Sequence, residues 1–198
     1  MTGFILASKS AVRAKMLRDA GLAVELEPSS IDERAVEAPA MATGASPSAV
    51  ARLLAEAKAR DVSLRHPDHI IIGADQTLAL GSRRFSKPKD RLSAAEQLSA
   101  LRGQQHILAS AAAIARNGDI LWSGVNEAHL TMRSFSQDYL EDYLDRMGDI
   151  VTTTVGGYQL EGIGVQLFDM IEGDYFTILG LPLLPLLAAL RDRGLLKT

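Results

Sequence analysis

The chain has 198 residues, of which 47% are hydrophobic, and a formal net charge of −3. This apolar content is enough for the core of one domain, and the small negative charge excludes the broad basic field with which proteins grip DNA or RNA. The chain has no cysteine, which excludes disulfides, thiolate catalysis and cysteine-ligated metals, and its four histidines lack the spacing of a zinc site.

The first predicted unit is a strand, a polar turn and a helix. Phe4–Ala7 is predicted to form a short strand, and the helix that follows is predicted to stop at Gly21. The first amides of a helix lack partners and carry partial positive charge, so this junction suits a phosphate group. Ser8 and Ser10 add hydroxyl donors and Arg13 adds a positive charge. Because Ser10 is also a common helix cap, a purely structural turn is the alternative.

The run at the N-terminus has no basic flank, and no apolar segment approaches the length of a membrane span. We therefore expect a soluble, cytoplasmic protein without a signal peptide.

A polar stretch from Glu25 to Pro47 is predicted to be a loop, and it carries the acidic pair Asp32-Glu33. In isolation this pair is most simply a solvated acidic loop. Ser46-Pro47 then provides a cap and a first turn for a helix predicted to reach Asp61.

The third predicted feature is a buried strand followed by a carboxylate. His69–Gly73 is a continuous apolar run, and Asp75 comes directly after it. Asp75 is therefore expected at the carboxyl edge of the sheet, where α/β folds place ligand sites. Such a carboxylate either holds Mg²⁺ or acts as a general base on water, and a turn-initiating aspartate is the alternative.

Two lysines are candidates for contact with a phosphate. Lys87 lies on a short turn made rigid by Pro88, and Lys58 lies on the helix predicted to begin at Pro47. Most exposed lysines have no specific partner, so a solvated role is the alternative for both.

The second half has the pattern of an antiparallel sheet with flanking helices. Strands Ile107–Ala115 and Ile120–Val125 flank Asn-Gly, a strong hairpin signal, and Ala128–Arg133 alternates as a further strand. The helices predicted here are 93–103, with Ser93 and Glu96 as a capping box, 136–147 and 183–196. The whole order predicts an α/β fold with a mixed, twisted sheet and flanking helices, in one domain over residues 1–198.

A glycine-rich segment, Gly156 to Gly180, completes the candidate site. Glycines permit close backbone approach to a ligand, or simply tight turns. Tyr158 and Tyr175 either pack on a base or belong to the core. Glu161 either accepts hydrogen bonds from a base edge or helps to hold a metal. The sequence thus combines hydrogen-bond donors for phosphate, two acidic sites at Asp32-Glu33 and Asp75, and the lysines Lys58 and Lys87. Together they favour Mg²⁺-assisted phosphoryl chemistry on a nucleotide.

Short motifs also recur in a fixed order from Phe4 to the last helix. They are Ile-Leu-Ala-Ser-x-Ser…Arg, Asp-Glu, Arg-Leu…Lys-Ala, Ile-Gly-Ala-Asp, Lys-Pro-x-Asp, Leu-x-Gly, Tyr-x-x-Glu-Gly, Gly-Asp-Tyr and Gly-Leu-Pro-Leu. In this order they resemble the Maf family of nucleoside triphosphate pyrophosphatases. The resemblance implies an architecture similar to the inosine-triphosphate pyrophosphatases, with two lobes around a cleft. It also implies metal-dependent hydrolysis of a nucleoside triphosphate to the monophosphate and pyrophosphate.

The resemblance assigns roles by matching position. The implied catalytic residues are Asp75, Glu33, Lys58 and Lys87, with Glu33 and Asp75 holding Mg²⁺ or Mn²⁺. The implied substrate-binding residues are Ser8, Ser10, Arg13, Gln76 and Glu161.

Three departures from the family pattern bear on the substrate. The turn Ser10-Ala-Val-Arg13 lacks a proline and one arginine of the family turn, Gln76 replaces a common threonine, and Glu161 replaces a usual glutamine. The Asp-Gln and Glu-Gly pairs are similar to the subgroup associated with 7-methyl-GTP, although Val12 stands where that subgroup tends to carry tryptophan. Substrate choice is therefore open between 7-methyl-GTP and dTTP or UTP.

The expected partner is a nucleoside triphosphate, with no nucleic acid and no membrane. A homodimer is an open alternative because the terminal helix has apolar residues to spare. Three other functions stay open: a non-catalytic nucleotide-binding regulator of cell division, a nucleotidyltransferase, and a purely structural or interaction module. The nucleotidyltransferase is less favoured, because that class relies on a glycine-rich turn where this chain has serines and a lysine. The structural module is the least favoured, because Gly73-Ala-Asp75 and Lys87-Pro88 have no obvious scaffolding purpose.

Overall fold

The computed structural model describes residues 3–197. Its strands are β1 (Phe4–Leu6), β2 (Val24–Leu26), β3 (Ile70–Leu80), β4 (Arg83–Phe85), β5 (Gln105–Arg116), β6 (Asp119–Met132) and β7 (Phe168–Glu172). Its α-helices are α1 (Ala11–Asp19), α2 (Glu33–Ala42), α3 (Pro47–Arg65), α4 (Arg91–Leu101), α5 (Gln137–Met147), α6 (Tyr175–Ile178) and α7 (Leu183–Asp192). Three short 3₁₀ helices lie at Gly148–Thr152, Val155–Gly157 and Ile163–Leu167.

The strands form one seven-stranded mixed sheet in the order β2-β1-β3-β5-β6-β7, with β4 paired to β3. The predicted α/β class, with a mixed sheet and flanking helices, is confirmed. The chain divides into two compact units, and β3, β5 and β6 contribute residues to both. Within residues 3–197, no helix is long and apolar enough to cross a membrane.

The first unit contains the parallel part of the sheet. It consists of the described residues up to Gln76, Ala109–Asn126, and the described residues from Tyr175 onward. β1 pairs in parallel with both β2 and β3, and Leu6 lies opposite Leu26 and Ile72. The apolar run of β3 is buried on both faces, as its sequence predicts for a central parallel strand.

Alternate residues of these strands build two separate apolar clusters. Leu6, Ile70 and Ile72 pack with residues of α1 and α7 on one face. Ile5 and Ile71 pack on the other face with the alanines of α3. Since successive strand residues point to opposite faces, the helix that carries Lys58 is held against the same strand that carries Asp75.

Gly73 allows α3 to approach β3 closely. A Cβ at this position would lie 2.7 Å from the amide nitrogen of Ala59 and would also overlap the carbonyl oxygen of Ala55. These are backbone atoms, which cannot turn aside as a side chain can.

We therefore expect Gly73→Ala to destabilise the protein by about 3 kcal/mol, lowering Tm by roughly 6–12 °C. Differential scanning calorimetry checks this. Gly162→Ala is the matched control, because nothing lies within 4 Å of its added Cβ and its φ is −122°. A Gly73→Ala protein as stable as Gly162→Ala would contradict the close approach.

The second unit consists of Thr77–Leu108 and Glu127–Asp174. Here the last residues of β3 pair antiparallel with β4, and the end of β6 pairs antiparallel with β7. Tyr158 lies in the core of this unit, and its hydroxyl is 2.8 Å from Nε2 of His106. Burial lowers the pKa of His106 to about 4, so this ring is neutral at physiological pH. Tyr158 is thus a core residue, which was one of its two predicted roles.

The structure corrects the prediction that residues 25–47 form a loop. The stretch contains the end of β2 and the helix α2, which begins at Glu33 and has Asp32 as its N-cap. The Asp32 side chain accepts hydrogen bonds from the amides of Arg34 and Ala35. The helix was missed because Pro39 and the loop-forming residues after it conceal the pattern.

Other boundaries also differ from the sequence-based ones. β3 continues through Asp75 to Leu80, so Asp75 lies inside a strand rather than directly after one. Asp90, with Ser93 as its partner, forms the capping box predicted for Ser93 and Glu96. β6 is one strand rather than two, because it continues without a break through Asn126 and Glu127, and α7 ends at Asp192 rather than Leu196. The predicted hairpin is confirmed, with φ of 50° at Asn117 and 85° at Gly118.

Candidate active site

The centre of the candidate site is a lysine that joins two carboxylates. Nζ of Lys58 is 2.6 Å from Oδ1 of Asp75 and 2.8 Å from Oε1 of Glu33. Lys58 comes from the middle of α3, Asp75 from the middle of β3 and Glu33 from the first turn of α2. The side chains of Lys58 and Asp75 are 10% and 11% exposed, whereas that of Glu33 is 54% exposed. One positive group is therefore held between a buried acid and a solvent-facing acid.

The environment of Asp75 raises the pKa of its carboxyl, which makes it a weaker acid than a free aspartate. Burial is the largest influence and raises the pKa of its carboxyl above the usual 3.8, and the charge of Glu33 acts in the same direction. The positive charges of Lys58 and Arg13 oppose this rise without cancelling it. A carboxylate with a raised pKa is a better proton acceptor, which suits a general base.

Arg13 is partly buried and donates hydrogen bonds to two backbone carbonyl groups. Its Nε donates to the carbonyl of Gly180 at 2.8 Å, and its Nη1 donates to the carbonyl of Ala74 at 3.0 Å. Burial lowers the pKa of Arg13, and the negative charges of Asp75 and Glu33 oppose this fall. Since guanidinium stays protonated in proteins, Arg13 is a fixed positive charge. It is held at the carbonyl of Ala74, the residue before Asp75.

The hydroxyl groups of Ser8 and Ser10 make hydrogen bonds within the turn and to α1. Ser10 is the N-cap of α1, and its Oγ accepts from the amide of Arg13 at 3.3 Å. Oγ of Ser8 accepts from the amide of Ser10 and from Nη1 of Arg13, at 3.2 and 3.4 Å. The capping alternative for Ser10 is confirmed, and its contact with phosphate stays a prediction. Arg13 ties this turn to the segment of β3 that carries Asp75.

Gln76 points its amide nitrogen at the end of α6. Its Nε2 donates to the carbonyls of Thr177 and Ile178 at 3.2 and 3.0 Å, and it is 3.0 Å from Oγ of Ser110. Ser110 in turn donates to the Thr177 carbonyl at 2.7 Å. These contacts satisfy carbonyls at the C-terminus of a four-residue helix, which have no partner within it. The role of Gln76 in substrate binding stays a prediction.

The other two predicted residues lie in the second unit. Lys87 is exposed between β4 and α4, and Glu161 is exposed in the turn before the 3₁₀ helix Ile163–Leu167. The group that the structure brings together is thus Glu33, Lys58, Asp75 and Arg13 of the first unit. The predicted roles of Lys87 and Glu161 stay predictions.

Comparison with known proteins shows which family the chain belongs to. The family described as "Maf-like protein" matches residues 3–193. The chain belongs to the Maf family.

Relatives within this family are similar over nearly their whole length. A protein of Rhizobium etli named "7-methyl-GTP pyrophosphatase" is 54% identical over 190 residues, which are 96% of each chain. A protein of Rhodopseudomonas palustris named "Nucleoside triphosphate pyrophosphatase" is 52% identical over 193 residues, which are 97% of this chain and 94% of the relative. A solved HAM1 protein from Coxiella burnetii is 15% identical, covers 67% of this chain and 73% of its own, and has a TM-score of 0.44.

The resemblance of the ordered motifs to the Maf family is therefore confirmed. The carboxylates around Lys58 have the chemistry of metal ligands. Two carboxylates of the Maf chain approach one positive atom, and carboxylate oxygens are the ligands that Mg²⁺ and Mn²⁺ prefer. Across the part of the chain that the structure describes, no group of three or more acidic or histidine side chains could hold a metal. Mg²⁺ commonly binds through one or two carboxylates and substrate phosphates, so Glu33 and Asp75 fit such an ion when a triphosphate is present.

The sequence did not predict a role for Ser30, Asp61 or Arg65, which contact one another beside the segment that leads to Glu33. Asp61 and Arg65 of α3 contact Ser30 and its neighbours, in the connection that leads from β2 to α2. The spacing of Asp61 and Arg65 is a visible sequence signal, but such pairs are common on solvated helix faces. Their contact with the connection depends on the tertiary fold.

Proposed function

We propose that this protein hydrolyses a nucleoside triphosphate to the nucleoside monophosphate and pyrophosphate. The observation that carries the proposal is the Lys58 bridge between Asp75 and Glu33, with Arg13 joining the serine turn to the residue before Asp75. A buried carboxylate with a raised pKa and a cluster of cations suit attack of water on a phosphorus atom. The names of relatives at 52–54% identity support the same reaction.

The proposed nucleotide is 7-methyl-GTP. Its support is the 51–54% identity to relatives named for this substrate, together with Gln76 and Glu161 at the positions where the sequence departs from the common family pattern. The carboxylate of Glu161 would accept hydrogen bonds from the guanine edge and would favour a cationic methylated base. dTTP and UTP are the competing substrates.

Each side chain of the site has a role in this reaction. Asp75 accepts the proton of the attacking water, which its raised pKa favours. Lys58 shares its charge between Asp75 and the triphosphate, and the partly buried charge of Arg13 adds positive potential at the turn. The first-turn amides of α1 other than that of Arg13, which Ser10 caps, would donate to a phosphate oxygen.

Glu33 and Asp75 would hold a Mg²⁺ or Mn²⁺ ion together with phosphate oxygens. Such an ion, when bound, neutralises the charge that develops on the leaving pyrophosphate.

Pyrophosphate release from a panel of nucleoside triphosphates tests the proposal. The panel contains 7-methyl-GTP, GTP, ITP, dTTP, UTP and CTP, each with Mg²⁺, with Mn²⁺ and with EDTA. We expect metal-dependent formation of monophosphate, fastest with 7-methyl-GTP. Preference for dTTP or UTP would overturn the proposed base. Nucleotide binding without turnover would favour the regulator, and transfer to an acceptor instead of water would indicate a nucleotidyltransferase.

A further inference from the structure

The position of Glu33 does not come from core packing. Glu33 is the first residue of α2, and none of the ten residues of this helix, all of which the structure describes, is buried. A helix usually takes its orientation from an apolar face packed against a core. Because α2 has no fully buried side chain and only half-buried apolar ones such as Val36 and Ala40, polar contacts outside the helix contribute to where Glu33 lies.

One set of polar contacts joins the segment before α2 to α3. The carboxylate of Asp61 accepts hydrogen bonds from the backbone amide of Ser30 at 2.9 Å and from its hydroxyl at 3.2 Å. Arg65 donates to Asp61 at 3.1 Å and to the carbonyl of Pro28 at 3.2 Å, and it pairs with Glu27. We call these contacts the Asp61 latch.

The latch and the catalytic lysine lie on the same helix. Asp61 follows Lys58 by three residues, so their side chains project from neighbouring positions on one side of α3. Lys58 contacts Glu33 itself, and Asp61 contacts Ser30, three residues before Glu33. A single rigid helix therefore sets both the lysine and the start of the acidic helix.

The Asp61 carboxylate is well suited to this contact. Partial burial alone would raise the pKa of Asp61, but the hydrogen bonds from Ser30 and Arg65 lower it below its usual value. The group is therefore ionised at neutral pH, and a charged acceptor makes stronger hydrogen bonds to the Ser30 amide.

We infer that Asp61 is a positioning residue that sets Glu33 beside Lys58 by holding the β2–α2 connection against α3. The inference rests on the proposed function, in which Glu33 acts on the triphosphate. Loss of the latch lets the start of α2 shift, and a shift of about 1 Å in a catalytic group can cost up to roughly 100-fold in rate.

The test combines Asp61→Ala with Glu33→Gln in a double-mutant cycle. We expect Asp61→Ala to lower kcat about tenfold with a smaller change in KM. In the Glu33→Gln background the same substitution should lower kcat by less than about twofold, since there it has no ionised Glu33 to position. Asp61→Asn keeps an oxygen acceptor for Ser30 and should restore part of the lost rate.

A second readout does not depend on activity. Hydrogen exchange of the amides of residues 30–35 should become faster in Asp61→Ala and stay unchanged in Asp142→Ala. Asp142 is the matched control, because it pairs with Arg146 in the same i,i+4 arrangement on α5. A shift in Tm of only a few degrees would show that Asp61→Ala remains folded.

The outcomes separate the inference from the proposed function. Equal loss of rate in both backgrounds, or unchanged exchange at residues 30–35, would overturn the positioning role. A wild-type protein that turns over no nucleotide would overturn the proposed function. The exchange experiment would still decide whether Asp61 holds the segment that leads to Glu33.

Discussion

Replacing Asp75 with asparagine should lower kcat by roughly 10²- to 10⁴-fold without unfolding the protein. Asparagine keeps the size of the side chain but cannot accept a proton from water or offer a charged oxygen to a metal. Lys58 retains its contact with Glu33, so the substitution does not leave the lysine unpaired. Initial rates of pyrophosphate release, measured with saturating nucleotide, check the loss.

The stability of the same variant should move in the opposite direction. The pKa of Asp75 is raised in the folded protein, so its charged form is less favourable there than in the unfolded chain. A raised carboxyl pKa gives stability that is present at low pH and is lost as pH rises through the folded pKa. Asp75→Asn should therefore be at least as stable as wild type at pH 7, and the difference should shrink as pH falls towards 4.

Asp19→Asn is the control for this comparison. Asp19 pairs with Lys15 on the surface, with both side chains more than half exposed, so its loss should leave kcat unchanged and Tm at pH 7 nearly unchanged. Near wild-type turnover in Asp75→Asn would remove Asp75 from the reaction. A strongly destabilised Asp75→Asn would mean that its buried charge supports the fold.

The sequence predicted those parts of the fold that depend on local chemistry. The Asn117-Gly118 turn needs positive φ at both residues, and few other pairs provide it. Ser136 caps α5 and Gly148 ends it, as their residue types predict. The apolar run after His69 is buried on both faces because a central parallel strand has no solvent-facing side.

The parts that were missed depend on contacts distant in sequence. α2 has no buried residue and contains Pro39, so its sequence resembles a loop, and β3 passes through Asp75 because its far end pairs with β4. Asp75, Glu33 and Lys58 were predicted separately as functional residues. That Lys58 bridges the two acids follows from packing of α3 against β3, which brings together residues 17 positions apart. No local pattern contains this information.

Replacing Lys58 with methionine should both destabilise the protein and inactivate it. Methionine fills a similar volume but leaves the carboxylate of Asp75 buried without the positive charge that faces it at 2.6 Å. Breaking a buried ion pair from one side typically costs about 3–5 kcal/mol, which for a chain of this size lowers Tm by roughly 6–20 °C. Loss of the cation beside the phosphates should lower kcat by about 10²- to 10³-fold.

The double variant Lys58→Met/Asp75→Asn separates the two causes of that loss. With the buried charge also removed, most of the lost stability should return, because the destabilisation comes from the unpaired carboxylate rather than from the missing lysine. Activity should not return, since both the base and the cation are absent. Lys15→Met is the matched surface control and should leave Tm nearly unchanged. If the double variant were no more stable than Lys58→Met, packing of the lysine stem would explain the effect, and the Lys58 bridge would not be the electrostatic centre of the site. The Tm values of wild type, Lys58→Met, Lys58→Met/Asp75→Asn and Lys15→Met therefore distinguish a buried charge that must be paired from a side chain that only fills space.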